Sequence, residues 1–173
     1  MTMPAVSEDM ILDAVNQADV PIGRIKREDV FAAQAGFRVA HVLIFNSQKQ
    51  LLLQRLAFSR NRNPGAWGSS VACYLFASES YEEAASRRVS EELGMKATPL
   101  TFLGKTKMMD DGCLKFISIF SMNSDGPFIF DRSHIEQIEF LPLARIQAMI
   151  DDATWRFTPT FLHVFRYYAS RFW

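Results

Sequence analysis

The chain has 173 residues, room for one domain with a sizeable core. Hydrophobic residues make up 49% of it and charged ones 22%, and the 19 Lys and Arg balance the 19 Asp and Glu, so nothing points to broad nucleic-acid or acidic-membrane binding. Two cysteines, Cys73 and Cys113, form no disulfide framework and suit a reducing cytoplasm. The opening MTMPAVSEDM lacks the basic and apolar regions of a signal peptide, and no window reaches the apolar length of a membrane span.

Ile11 to Arg27 reads as a hairpin turning at NQADV, and Glu28 to Ala33 as a short helix. Val39 to Phe45 (VAHVLIF) is a strongly apolar strand, Asn46-Ser47 begins a turn, and Leu51 to Arg55 returns as a second strand. SRNRNPG, Ser59 to Gly65, is a basic loop, and Ala66 to Leu75 is expected as one strand. Leu100 to Met109 and Leu114 to Met122 read as antiparallel strands around Asp110-Asp111-Gly112. Ile138 to Leu141 is a short strand; Ala144 to Ile150 and Phe161 to Phe172 are helices. The sum is a mixed β-sheet flanked by helices, an α/β/α sandwich of α+β class in a single domain over 1–173, with the N-terminal hairpin region 8–33 and the last helix, 159–172, packed on it. That last helix carries an aromatic face able to pack on the sheet or to form a homodimer surface.

The most informative stretch is Cys73 to Met95, CYLFASESYEEAASRRVSEELGM. Ser80 and Glu83 form a Ser-x-x-Glu capping box that starts a helix, and Gly94 stands where a left-handed residue would end it. Tyr81, Ala85, Val89 and Leu93 make one apolar stripe. Helical spacing sets Arg88 against both Glu91 and Glu92.

This stretch resembles the Nudix box, Gly-x5-Glu-x7-Arg-Glu-U-x-Glu-Glu-x-Gly-U with U aliphatic. Glu79, Arg87, Val89, Glu91, Glu92, Gly94 and Met95 stand in register. Cys73 replaces the first Gly, and Arg88 replaces the Glu that follows the Arg. The resemblance implies the Nudix fold and hydrolysis of a diphosphate linkage in a nucleoside diphosphate derivative or similar small metabolite. It implies catalytic roles for Glu91, Glu92 and Arg87, with Mg2+ or Mn2+ on Glu91 and Glu92, since Mg2+ prefers carboxylate oxygens and activates water. Arg88 sets a second reading beside it: the guanidinium pairs with both glutamates and takes the place of the metal, leaving a diphosphate-binding protein without hydrolysis.

Beyond the box, ILDAVNQADVPIGRIKRED, HVLIFNSQKQLLLQR, NPGAW and WRFTPTF resemble the branch containing the isopentenyl-diphosphate isomerases and hydrolases similar to them. The Arg87-Arg88 pair resembles the isomerase form of the box. Where that form carries Cys-Gly-His, this chain reads Ala72, Cys73, Tyr74; its other metal histidines fall on Val30 and Phe37, and its catalytic Tyr on Glu91. Isomerisation is therefore the least favoured reading. Arg60 falls where this branch binds diphosphate, with Arg55 and Arg62 flanking, and Arg suits bidentate phosphate contact. Trp155 and Phe157 fall where the branch lines its pocket mouth, to stack on a base or simply to pack under the last helix. Asp110, Asp111, Glu136 and Glu139 are candidate extra carboxylates. Cys73 reads as a small buried residue, His134 as a surface one, and His41 and His163 as packing on strand and helix.

Overall fold

A computed structural model describes residues 10–96 and 99–173. The expected start of the hairpin at 8–9 and nearly all of the segment read for a signal peptide lie outside the described residues.

Two strands, β1 (Ile11–Val15) and β2 (Pro21–Lys26), form an antiparallel hairpin. Its turn is held by Asn16, whose Oδ1 accepts from the amides of Ala18 at 2.9 Å and Val20 at 3.1 Å. The helix expected over Glu28 to Ala33 is shorter and earlier, a single 3-10 turn at Arg27–Asp29. That turn gives way to hydrogen-bonded turns ending at Ala35, whose amide donates to the Val30 carbonyl.

The central sheet contains β3 (Phe37–Phe45), β4 (Leu51–Leu56), β5 (Trp67–Gly68), β6 (Val71–Tyr74), β7 (Thr101–Asp110), β8 (Cys113–Asn123) and β9 (Ile135–Leu141). Strand β3 runs parallel to β8, while β7 pairs antiparallel with β8 at one edge, so the sheet is mixed. The apolar run of β3 divides by alternation. Phe37, Val39 and Leu43 enter one core layer; Ala40, Val42 and Ile44 enter the other. The first layer is closed by α2 (Leu143–Asp151) and α3 (Pro159–Phe172) through Ile146, Met149, Phe161, Val164 and Phe165. The second is closed by α1 (Tyr81–Leu93) through Ala84, Ala85, Val89 and Leu93. Helices therefore cover both faces, as the patterning implies. The aromatic face of α3 packs inward on the sheet, the first of the two uses open to it.

The helix signals in α1 act as the sequence suggests. Ser80 Oγ accepts from the Glu83 amide at 3.1 Å, and Glu83 Oε2 accepts from the Ser80 amide at 2.8 Å. Gly94 closes the helix at φ 62°, a left-handed conformation that costs glycine little.

Ala66 to Leu75 is not one strand. Strands β3 and β4 pair only at Phe45 and Leu51, and then diverge. β5 pairs with β4 and β6 with β3, so the chain crosses the fork at Ser69-Ser70. Ser70 Oγ bridges the gap: it accepts from the Ile44 amide at 2.9 Å and donates to the Leu52 carbonyl at 2.5 Å. One small hydroxyl thus replaces ladder bonds where no strand partner exists. This fork opens the floor of the cavity described next.

Candidate functional site

Loop 74–80 is fixed onto α1 by Arg87. Its Nε donates to Glu79 Oε1 at 2.7 Å, and its Nη2 to Glu79 Oε2 at 3.0 Å and to the Tyr74 carbonyl at 3.2 Å. Its Nη1 reaches both oxygens of Glu91 at 3.4 and 3.3 Å, and the guanidinium lies 3.9 Å from the Phe76 ring centroid. Every guanidinium nitrogen of Arg87 is thereby engaged, which orders the loop against the helix.

The next residue, Arg88, faces inward. Its Nη1 stands 3.1 Å from Glu91 Oε2 and its Nε 2.6 Å from Glu92 Oε1. The Glu92 side chain is 3% exposed, and its Oε2 is buried without a hydrogen-bond partner among the described residues. Burial raises the Glu92 pKa above its ordinary 4.5, against the opposing pull of Arg88 and Arg60. The same glutamates outweigh the desolvation of Arg88 and hold it firmly protonated.

Glu92 and Arg88 open into a cavity of about 490 Å³ at the sheet fork. Gln54 of β4, Ser69, and Cys73 and Tyr74 of β6 also line it, together with Arg60 and Arg62 from the basic loop. Asp110 comes from the end of β7, Asp111 from the turn after it, Lys115 from β8, Thr158 to Thr160 from the start of α3, and Arg27 from the 3-10 turn after the hairpin. The hairpin turn is anchored by Asp19, which accepts from Arg38 Nε at 2.6 Å, from the Tyr81 hydroxyl at 2.8 Å and from Lys105. These partners, led by Lys105, overcome the burial of Asp19 and hold it below its ordinary 3.8.

Six cations line the cavity, Arg27, Arg60, Arg62, Arg87, Arg88 and Lys115, against three carboxylates, Glu92, Asp110 and Asp111. Arg62 and Lys115 are neutralised locally. Arg62 Nη2 lies 2.8 Å from Asp110 Oδ1 and 3.0 Å from Asp111 Oδ2; Lys115 Nζ lies 2.6 Å from Asp110 Oδ2 and 2.8 Å from Thr160 Oγ1. Arg27 and Arg60 form no ion pair among the described residues. Arg27 packs 4.6 Å from the Tyr74 ring centroid with its Nε buried and unpartnered. Burial lowers the pKa of Arg60, with Glu92 only partly opposing it. Two guanidinium groups without an ion-pair partner among the described residues have the charge and the planar geometry to hold a small anion.

The family comparison agrees with this geometry: residues 36–161 match the NUDIX domain family. The chain belongs to the NUDIX family. It is 32% identical over 152 residues to a Nudix hydrolase of Deinococcus radiodurans, covering 84% of this chain and 88% of that one. Over 160 residues it is 26% identical to YfcD, an uncharacterized Nudix hydrolase of Escherichia coli, with 92% and 87% covered. The crystal structure of DR0079 from Deinococcus radiodurans superposes with a TM-score of 0.80 at 28% identity, covering 90% of this chain and 97% of that one. Relatives and structural neighbours together support a hydrolase, and the family acts on small diphosphate-containing molecules. No described helix is long and apolar enough to cross a membrane.

Nudix hydrolases generally use divalent metals. The donor set here does not fit one as the side chains stand. Among the described residues no three His, Cys, Asp or Glu side chains converge on one point. Arg88 fills the corner between Glu91 and Glu92, Arg62 and Lys115 hold the aspartates, and Glu92 Oε2 is a single free oxygen where Mg2+ wants several.

Several expected site residues fall elsewhere. Glu91 pairs with Arg87 and Arg88 and does not line the cavity. Arg55 turns to the far side of the basic loop, where its Nε donates to the Gly65 carbonyl at 3.0 Å and its guanidinium lies over Phe58. Trp155 stacks on Trp67 at 4.1 Å between centroids, lining with Arg55 a separate surface pocket. Phe157 is buried against Phe161 and lines neither. Of the extra carboxylates, Asp110 and Asp111 reach the cavity while Glu136 and Glu139 on β9 do not. Val30 and Phe37 are fully buried in the core, with no ligand role open to them.

Three further titratable groups are fixed by their surroundings. Cys73 gives its thiol to the Ala84 carbonyl at 3.4 Å, and burial pushes it up to about 12. His41 is buried at the cavity wall with Nδ1 2.8 Å from Ser69 Oγ; burial, then Lys115 and His163, bring it down to about 3, so it is neutral. His134 is not a free surface group: its side chain is 15% exposed and 3.7 Å from Asp131. Arg27, Gln54, Tyr74 and Lys115 are site residues that sequence reasoning missed. Each comes from a different strand or turn, and no local spacing connects them.

Proposed function

We propose that the protein hydrolyses a diphosphate linkage in a nucleoside diphosphate derivative or similar small phosphorylated metabolite, bound in the cavity at the sheet fork. The observation that carries this reading is the pair of guanidinium groups without an ion-pair partner among the described residues, Arg27 and Arg60, that line one cavity with the buried carboxylate of Glu92. The phosphates lie against Arg27 and Arg60, with Arg62 at the rim. Glu92 Oε2, the carboxylate oxygen left free, acts as general base. It takes a proton from water as the water oxygen bonds to phosphorus, and the bond to the bridging oxygen breaks with release of a phosphate anion. A raised carboxyl pKa suits this role, because a base works best when its pKa lies near the working pH. Arg88 holds Glu92 in place and offers positive charge to the developing phosphate charge. Arg87 and Glu91 are positioning residues.

Mg2+ or Mn2+ on Glu91 and Glu92 would have to displace Arg88 from both, so no step above runs through a metal ion. The same ion pairs favour a second reading, a Nudix domain that binds a diphosphate compound without cleaving it. The two buried thiols suit the expected cytoplasmic setting. The test is a phosphate-release screen over nucleoside diphosphate derivatives with Mg2+, with Mn2+ and with EDTA, using Glu92→Gln as control. Turnover abolished by Glu92→Gln supports hydrolysis; ligand binding with no turnover in any arm supports the second reading.

A further inference from the structure

We infer that this cavity neutralises its phosphoanion with fixed guanidinium groups, Arg88 standing where a divalent ion would otherwise bind, so that ligand uptake is independent of metal. The inference rests on the proposed ligand site and concerns only what supplies the positive charge there.

Helix geometry makes Arg88 a resident cation. Glu91 and Glu92 lie three and four residues beyond it on one helix, so both contacts, at 3.1 and 2.6 Å, follow from the backbone and persist without ligand. The Arg88 side chain is only 14% exposed and the Glu92 side chain 3%, which leaves little solvent to screen the charge. A dication entering the same corner meets a guanidinium at contact range and finds one free carboxylate oxygen, Glu92 Oε2. An anion meets the opposite situation. Arg27 presents a buried Nε with no acceptor, and Arg60 lines the wall without a counter-ion. A phosphate group in the cavity neutralises both guanidinium groups, and the planar guanidinium matches phosphate geometry without a bridging ion. The neighbouring Asp110, Arg62 and Lys115 close on one another and leave the net charge of this corner positive.

The experiment is titration calorimetry of the whole protein with inorganic pyrophosphate and with ADP, each in excess EDTA and in excess Mg2+, beside a titration with Mg2+ alone. The expected result is binding in EDTA at least as tight as in Mg2+, and no heat from Mg2+ alone. Arg27→Met and Arg60→Met are each expected to weaken binding about tenfold or more, the loss of one charged hydrogen-bonding group. Arg88→Glu is expected to abolish binding in EDTA and to restore it with Mg2+ or Mn2+. The wild-type comparison stands alone if that variant fails to fold. Wild-type binding that appears only with a divalent ion overturns the inference and leaves the ligand site intact. Silence of both probes in every condition overturns the ligand site and the inference together. Metal-free binding without turnover upholds the inference and removes hydrolysis.

Discussion

Replacing Arg88 with Met keeps the aliphatic stem and deletes the charge that faces Glu92. The carboxylate is 3% exposed, and its closest cation, 2.6 Å away, disappears. Removing one partner of a buried ion pair costs about 3–5 kcal/mol. Glu92 can escape by taking up a proton, and that limits the loss. Protonating a carboxyl whose ordinary pKa is 4.5 costs about 3.4 kcal/mol at pH 7, at about 1.4 kcal/mol per pH unit. The sign follows from linkage. Burial already raises Glu92 in the folded protein, so the native state holds this proton more tightly than the unfolded chain, and stability falls as pH rises above 4.5. In Arg88→Met that slope steepens. Urea unfolding should show a deficit approaching 3 kcal/mol at about pH 7 and below about 1 kcal/mol at pH 5. A deficit that does not change with pH, or one under about 1 kcal/mol at neutral pH, would refute Arg88 as the counter-ion of Glu92.

Trp155→Ala removes the stack on Trp67 and should cost about 1–3 kcal/mol in thermal or urea unfolding. It should leave ligand affinity unchanged, and an affinity loss as large as that of Arg60→Met would place Trp155 in the ligand site. Both thiols should resist a disulfide reagent in the folded protein, Cys73 because burial pushes it up to about 12, and both should react in urea; fast labelling of one thiol in the native state contradicts this. Asp19 and Asp110 are both held below 3.8, despite burial, by their cationic partners, Lys105 and Arg38 for the first and Arg62 and Lys115 for the second. Their contribution is full above pH 3.8 and is lost as pH falls through the lower folded values, so Asp110→Asn should flatten the acid limb of the stability curve. An unchanged acid limb would sink that reasoning.

What the sequence shows plainly is what local spacing governs. The capping box, Gly94 and the Arg88 contacts lie within single helical turns, and all appear as expected. The apolar runs of β3 and β8 mark buried strands because both faces are covered by helices. The split of 66–75 into β5 and β6 is not visible, because it depends on which strand each half pairs with, and Ser69-Ser70 gives no warning in composition. The basic loop misleads for a similar reason. Arg60 and Arg62 face the cavity, but Arg55 sits at the end of a strand and is captured by the Gly65 carbonyl on the other side. Arg27 reaches the site because the hairpin is tied to the domain by residues far apart in the chain: Asp19 to Arg38, Tyr81 and Lys105, Ile11 to Ala77, and Val15 to Gly36.

The central claim is that Arg60 and its neighbours, and not the pocket on the other side of the loop, receive the diphosphate. The most direct measurement is the affinity of ADP-ribose for the wild type, Arg60→Met and Arg55→Met by titration calorimetry. Arg60→Met should weaken binding about tenfold or more while Arg55→Met leaves it unchanged. Equal losses in the two variants, or a loss only in Arg55→Met, would contradict the assignment of the cavity at the sheet fork as the ligand site.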